Sequence, residues 1–348
     1  MDTGLRIRDF VAAIGSLPAG PRNSIADVAG VAVGQRSLVE GAIRTGVTVL
    51  LPHCDNLYRQ KVVAASCVLN GFGKSVGLIQ IDELGTIETP IAFTNTFGVG
   101  TCANALIRHA VAGNPDIGRT TATVNPVVLE CNDGYLNDIQ AMALREADVA
   151  EAIAAAGPEL EQGAVGAGTG MSAFGLKGGM GSASRRLTLD GRPHVLGALV
   201  QANFGRRDDL RIDGRAIATA GGPDQRDAGS ICIALATDIP LDSRQLRRVA
   251  RRAVVGLARV GSFLGHGSGD IVVAFTTANR LHHDERRDLV PLTVLNESRI
   301  DPLFRAAAEA VEEAILNAMV AAPAMEGRAG RRQSLADLLR QMGYPARG

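Results

Sequence analysis

The run SICIALAT at Ser230–Thr237 has no polar face in either phase of a β-strand. Side chains of a strand alternate between two faces, so this one needs apolar cover on both sides. The same is true of VVAASCVLNG (Val62–Gly71), VLGALVQANFG (Val195–Gly205) and DIVVAFTTAN (Asp270–Asn279). Further strand-like runs are GVTVLLP (Gly46–Pro52), SVGLIQI (Ser75–Ile81) and ATVNPVVLE (Ala122–Glu130). Helical spacing marks Thr101–Ala112, Asp138–Ala156, Ser243–Val260 and Asp301–Ala322, the last with Asp301 as N-cap and Pro302 at the first helical position. The helices stand between groups of strands and do not alternate with them one for one. Mixed sheets stacked face to face and covered by helices satisfy these demands, which predicts a four-layer α/β/β/α sandwich.

Composition narrows the class. The chain has 348 residues, enough for one large domain, and 46% of them are apolar. Lys and Arg together number 36, as do Asp and Glu, so no global field favours nucleic acid. Arginines at 244, 247, 248, 251 and 252 read as the solvated face of a helix. No apolar run reaches the roughly 18 residues that a membrane helix requires. MDTGLRIRDF lacks the apolar centre of a secretory signal. Five cysteines with no CxxC pair read as free, mostly buried thiols in a reducing compartment, so a cytoplasmic location is expected. With 41 glycines and no tryptophan, the chain packs on small side chains. Asp208–Gly229 is polar and reads as an exposed loop, and the tail from Met325 reads as loosely held.

Several motifs fail. GAGTGM (Gly166–Met171) lacks the preceding strand and the later acid of a dinucleotide fingerprint. GFGKS (Gly71–Ser75) would need a glycine at position 68, which is Val68. The six histidines form no HExxH pair and no Cys/His group has zinc spacing, so neither a metal nor a cofactor is expected. No GxSxG elbow is present.

What remains is the hydroxyl that opens a buried strand directly after a glycine. Serine is a weak nucleophile without a base. Cutting the Gly229–Ser230 bond would give Ser230 a free α-amine of pKa about 7.7–8.0, able to take the proton of its own hydroxyl. Glycine at 229 would let the backbone adopt the geometry of attack.

The chain resembles the DmpA/BapA family of self-processing aminopeptidases, the L-aminopeptidase D-amidase/D-esterases and β-aminopeptidases. The likeness runs through NSIADVAGVAVG (Asn23–Gly34), RTGVTVLLP, ECNDGYLNDI (Glu130–Ile139), GAGTGM, LKGGMGSASR, GALVQANFGRR and GSGDIVVAFTTAN, in family order. It implies an N-terminal-nucleophile architecture and a single catalytic domain, 1–348, that cuts itself into an α fragment, 1–229, and a β fragment, 230–348. Gly229-Ser230 then matches the cleavage site and the nucleophile. Ser268 and Asp270 match the serine and acid that tune proton transfer, Asn203 the amide at the oxyanion, and Glu130 the carboxylate for the substrate amine. The implied substrates are short peptides, amides or esters with a free amine and a small first residue, and the implied assembly is a tetramer of α/β pairs. Three positions depart from the pattern. Asn132 stands where one branch has a tyrosine, Asp270 where the β-aminopeptidases have glutamate, and His266 where asparagine is expected. Tyr135 reads as a packing residue. The alternatives are an ω-amide oligomer hydrolase, a self-cleaving acyltransferase of related architecture, or an uncleaved binding protein.

Overall fold

The computed structural model describes residues 4–217 and 229–344. In chain order the first strands are β1 (Ala32–Glu40), β2 (Ile43–Leu51) and β3 (Gln60–Gly71), then helix α1 (Leu78–Leu84). There follow β4 (Thr86–Ile87), β5 (Ile91–Asn95), α2 (Val99–Gly113), β6 (Val127–Cys131) and α3 (Glu146–Ala154). A small ribbon, β7 (Ser172–Ala173) and β8 (Leu176–Lys177), precedes the long hairpin β9 (Gly179–Leu189) and β10 (Arg192–Asn203). A second ribbon, β11 (Arg211–Ile212) and β12 (Arg215–Ala216), leads toward β13 (Ser230–Thr237). Then come α4 (Ser243–Ala250), α5 (Ala253–Arg259), β14 (Gly269–His282), α6 (Asp301–Val320), β15 (Met325–Gly327), β16 (Gly330–Arg332) and α7 (Leu335–Gln341).

Two sheets form the interior. One has the order β1-β2-β5-β6, the other β4-β3-β14-β13-β10-β9. Val33, Leu50, Phe93 and Leu129 of the first pack on Ala64, Leu199, Ala234 and Phe275 of the second. Outside the four-stranded sheet, Val47, Val49 and Val128 meet Leu106 of α2 and Val149 of α3. Outside the six-stranded sheet, Val200, Ile233, Leu235 and Val272 meet α4, α5, α6 and α7. These are the four layers expected from the doubly apolar strands, in both sheets with mixed pairing: β13 runs parallel to β14, and β5 parallel to β6.

Local readings changed in several places. Ser75–Ile81 is not a strand. Its apolar residues enter α1, bracketed by Gly77 at φ 92° and Gly85 at φ 69°, and Ile81 is the helix's buried side chain. Asp138–Ala156 is not one helix: a 3-10 turn ends at Met142 with φ 45°, and α3 starts afresh at Glu146, where Asp148 accepts from the Arg145 amide at 2.8 Å. Ser243–Val260 divides into α4 and α5 at Arg251–Arg252. Ala122–Glu130 becomes a strand only from Val127. Asp301 is the first helical residue of α6 and makes no capping bond. The tail is held: α7 buries Leu335 and Leu339 in the core beneath α6. Of the loop Asp208–Gly229, residues 208–217 include the β11–β12 ribbon and bury Leu210, Ile212 and Ile217, while 218–228 lie outside the described residues. The arginine face is anchored: Arg244 pairs with Glu297, Arg247 with Asp82, and Arg252 stacks on Phe304.

Candidate active site

Ser230 is the first residue of β13 and pairs with Asn203 of β10 on one side and Gly269 of β14 on the other. Its Oγ accepts the Gly269 amide proton at 3.1 Å. Ser268 and Asp270 flank that amide, and the Ser268 hydroxyl donates to Asp270 Oδ1 at 2.5 Å. Both side chains are 1% exposed. Residues two apart in extended chain share a face, so Ser268 and Asp270 meet while Gly269 turns its amide to Ser230. The shorter acid at 270 therefore still reaches its serine. The turn is pinned by β3: Asn70 Nδ2 donates to the carbonyls of Gly265 and Ser268, each at 2.7 Å, and the Phe72 amide donates to Ser268 O at 3.2 Å. A Cβ at Gly269 would lie 2.8 Å from Phe72 O and 2.9 Å from Gly73 Cα, so this close approach admits only glycine.

Gly229 is constrained in the same manner. A Cβ there would stand 1.9 Å from Asn203 O and its φ is not positive, so a lack of space is what calls for glycine at this position.

Asn203 ends β10 with its amide fixed. The Ser172 backbone amide donates to Oδ1 at 2.8 Å, and Nδ2 donates to Asn132 O at 3.0 Å. An amide nitrogen carries two protons, so a second remains for a ligand oxygen. Asn132 itself is exposed, and its Oδ1 accepts from the Gly134 amide at 2.9 Å. Its contribution is the backbone carbonyl that aims Asn203.

Glu130 sits on β6, buried to 3% exposure. Its carboxylate accepts from the Lys74 amide at 2.7 Å and from the Thr96 hydroxyl. It lies toward β14: a carbon added at Gly73 would be 3.7 Å from Glu130 Oε1 and 3.6 Å from Gly269 Cα. On the β10 side of Ser230 opens a cavity of about 490 Å³, whose lining includes Asn132, Tyr135, Ser172, Asn203, Gly229, Arg328 and Arg332. Tyr135 is thus a cavity wall, 36% exposed, and not interior packing. His266 is exposed, its ring 6.3 Å from that of Phe72.

Lys177 was not singled out from the sequence, although it is the lone charge between Gly163 and Gly181. It is fully buried, and its ammonium donates to the carbonyls of Gly168, Met171 and Gly178 at 2.8–3.0 Å. That ties the GAGTGM loop to β8, which pairs with the strand carrying Asn203's partner Ser172. Burial pulls Lys177 down to about 7, against the opposing charge of Asp133. Burial likewise pushes Asp133 up to about 6, countered by bonds from Thr45 and Asn137. Asn70, Thr96 and Ser172 were also missed, since each acts through a contact distant in sequence.

A separate cavity of about 370 Å³, lined by His53, Tyr58, His109 and Asn114 among others, lacks such a constellation. His53 Nε2 is 2.8 Å from Gln60 O, and burial lowers its pKa, as expected of a satisfied core histidine. Among the described residues no three His, Cys, Asp or Glu side chains converge as a metal site requires, and no helix is long and apolar enough to cross a membrane.

Comparison with known proteins bears on the same elements. A beta-peptidyl aminopeptidase BapA of Sphingosinicella microcystinivorans is 38% identical over 93% of this chain and 87% of the relative. A solved structure from Pyrococcus horikoshii OT3 is 49% identical, with a TM-score of 0.92 over 97% of this chain and 99% of that one. The l-aminopeptidase d-ala-esterase/amidase of Ochrobactrum anthropi, a prototype for the serine aminopeptidases and a variant of the Ntn hydrolase fold, is 37% identical with a TM-score of 0.89, covering 98% and 99%. The four-layer fold is thus of the Ntn hydrolase kind. The profile of peptidase family S58 matches residues 23–333, which takes in every element of the site, and the chain belongs to that family.

Proposed function

We propose that this member of peptidase family S58 is a serine aminopeptidase whose nucleophile, Ser230, is freed by the chain's own cleavage after Gly229. The observation that carries the reading is the meeting of four groups at one end of β10, β13 and β14: the Ser230 hydroxyl, the Gly269 amide, the Ser268–Asp270 pair and the Asn203 amide. In the first event Ser230 Oγ adds to the Gly229 carbonyl and the C–N bond breaks, leaving an ester. Water then hydrolyses the ester to a Gly229 carboxylate and a free Ser230 amine. In turnover that amine takes the Oγ proton, Oγ adds to the substrate carbonyl, and the second Nδ2 proton of Asn203 stabilises the oxyanion. The proton passes to the leaving amine, and water releases the acyl group. The Ser268–Asp270 pair steadies the charge on the α-amine as the proton moves.

Glu130, already oriented by Lys74 and Thr96, would hold the substrate ammonium, so that free N-termini are selected. Short peptides, amides and esters bearing a small first residue, L-, D- or β-alanine, fit this arrangement and accord with the activities named for the relatives. Five free thiols support a cytoplasmic setting. The exposed side chains of Leu289, Val290, Leu292 and Val294 offer an oligomer of α/β pairs apolar surface to bury. The deciding experiment joins intact mass to kinetics. Fresh protein should yield fragments 1–229 and 230–348 and hydrolyse alanine anilides. Glu130→Gln should still be cut, because cleavage involves no free amine, yet lose about tenfold or more in kcat/KM on free-amine substrates. An active full-length chain would refute the cleavage, and equal turnover of N-acetylated substrates would refute the role of Glu130.

A further inference from the structure

We infer that Arg332 and Arg328 form a carboxylate subsite in the cavity beside Ser230, so that the enzyme favours substrates of two or three residues with a free C-terminus. This rests on the peptidase reading above. Both guanidiniums line the cavity together with Asn132, Asn203 and Gly229. Arg332 lies flat on the Tyr135 ring, 3.5 Å from its centre, and donates to Ser172 Oγ at 3.2 Å and Gly175 O at 3.4 Å. Arg328 donates twice to Gly134 O, at 3.0 and 2.8 Å. Their protein acceptors are neutral oxygens. Among the described residues neither arginine forms an ion pair with a carboxylate, and Glu326 on the same hairpin is exposed.

An arginine keeps its charge, so the half-buried guanidinium of Arg332, without a carboxylate partner, carries a desolvation cost that a ligand anion can offset, while the exposed Arg328 adds positive charge at the rim. Burial lowers the Arg332 pKa, Tyr135 opposes this, and the nearby charge of Arg207 adds to it. The planar fork, held by an aromatic face, suits a carboxylate better than a lysine would.

Position gives the chemical class. Glu130 lies toward β14 and the arginines toward β10, with Ser230 on the strand between them. Two strand spacings amount to about 10 Å. An extended residue spans about 3.3–3.6 Å, so three residues cover that distance, and two, at about 7 Å, meet the arginines where these long side chains reach inward. Longer peptides and capped amides would leave the guanidiniums without an anion.

A carboxylate has a second possible source. Cleavage creates one at Gly229, which lines the same cavity. The test separates the two on the fully cut enzyme, verified by intact mass, with Ala-Ala and Ala-Ala-amide as paired substrates. For the wild type, KM for Ala-Ala should be about tenfold or more below that for the amide, the effect of one charge-assisted bond. Arg332→Gln and Arg328→Gln should each compress that ratio toward one. Arg331→Gln, on the same hairpin but outside the cavity lining, serves as the control and should keep the ratio. Equal loss on both substrates in Arg332→Gln would assign the arginines to the Gly229 terminus and overturn the substrate subsite. So would a wild-type ratio near one. Failure of the wild type to hydrolyse either substrate would instead refute the peptidase reading.

Discussion

Two buried polar centres flank the six-stranded sheet, and they are built on opposite principles. On its outer face Arg185 of β9 is fully buried against α6. It pairs with Glu313 at 2.7 Å and Glu309 at 3.3 Å, and donates to the carbonyls of Ser184, Ile14 and Glu309. Arg8 and Asn23 add further donors to Glu313. Burial pushes the Glu313 carboxyl up, but the bond from Arg8 and the charges of Arg185 and Arg8 outweigh it and hold the group below its usual range. This centre is closed on itself. The centre at Ser230 lies at the strand ends, where Asn203 has a proton to spare and a cavity opens beside it. Saturation in the first and reserve in the second distinguish a group of structural polar residues from one suited to chemistry.

The largest effect should come from opening the closed centre. Arg185→Met, in the uncut Ser230→Ala background, should lose about 3–5 kcal/mol in urea unfolding, since Glu309 stays buried without its cation and Glu313 keeps only the cation of Arg8. A loss no greater than about 1 kcal/mol in Arg185→Met, the worth of one ordinary hydrogen bond, would break the comparison. The sign with pH is set by Glu313. Its folded pKa lies below the ordinary 4.5, so its contribution is present above that value and fades as pH falls through the folded pKa.

Next is the reserve of the open centre. Asn203→Ala, assayed as cut enzyme, should lower kcat/KM by a factor on the order of 10²–10³, the usual worth of one oxyanion donor. A loss confined to KM would show that the amide binds ground state and transition state alike.

Lys177 lies between the two kinds, closed in its bonds yet adjacent to the site. Its folded pKa, about 7, is below the ordinary 10.5, so the unfolded chain holds the extra proton between these values and wild-type stability rises with pH there. Lys177→Met lacks this gain. Its deficit relative to wild type should widen by about 2 kcal/mol from pH 7 to 9, read from urea curves in the same uncut background. A deficit independent of pH would mean that Lys177 keeps its proton throughout. The smallest effect belongs to His266, exposed at the entrance to the turn. His266→Asn should change kcat/KM by less than about twofold, as surface changes commonly do.

The layers were legible because a strand apolar on both faces leaves few arrangements. SICIALAT and DIVVAFTTAN had to be interior, and they lie side by side. What escaped reading was decided by single backbone angles or distant contacts. LIQI has the alternation of a strand, but glycines at either end with positive φ wind it into α1. Ser230, Ser268, Asp270 and Asn203 were singled out through a resemblance spread over many blocks, and the fold brings them to one end of β10, β13 and β14. Ser172 and Asn70 were not, because each contributes only by orienting a residue more than thirty positions away or a turn on another strand. Tyr135 was read as packing for want of knowing that Arg332 would cover it.

The order of the six-stranded sheet carries a consequence for the proposed cut. Strands β14 and β13 belong to the β fragment, and they are inserted between β3 and β10 of the α fragment. Pulling the pieces apart would break two strand pairings, expose four strand edges and split both apolar layers. The nicked protein should therefore behave on dilution as a single body, without the concentration dependence of an ordinary heterodimer. Its history is also one-way. On that proposal the middle strands would take their places while still tethered, and the tether would be severed afterwards. Once denatured, the two pieces must find that interleaved order by collision, so the mature enzyme's persistence is governed by how slowly it opens and not by how readily it reforms.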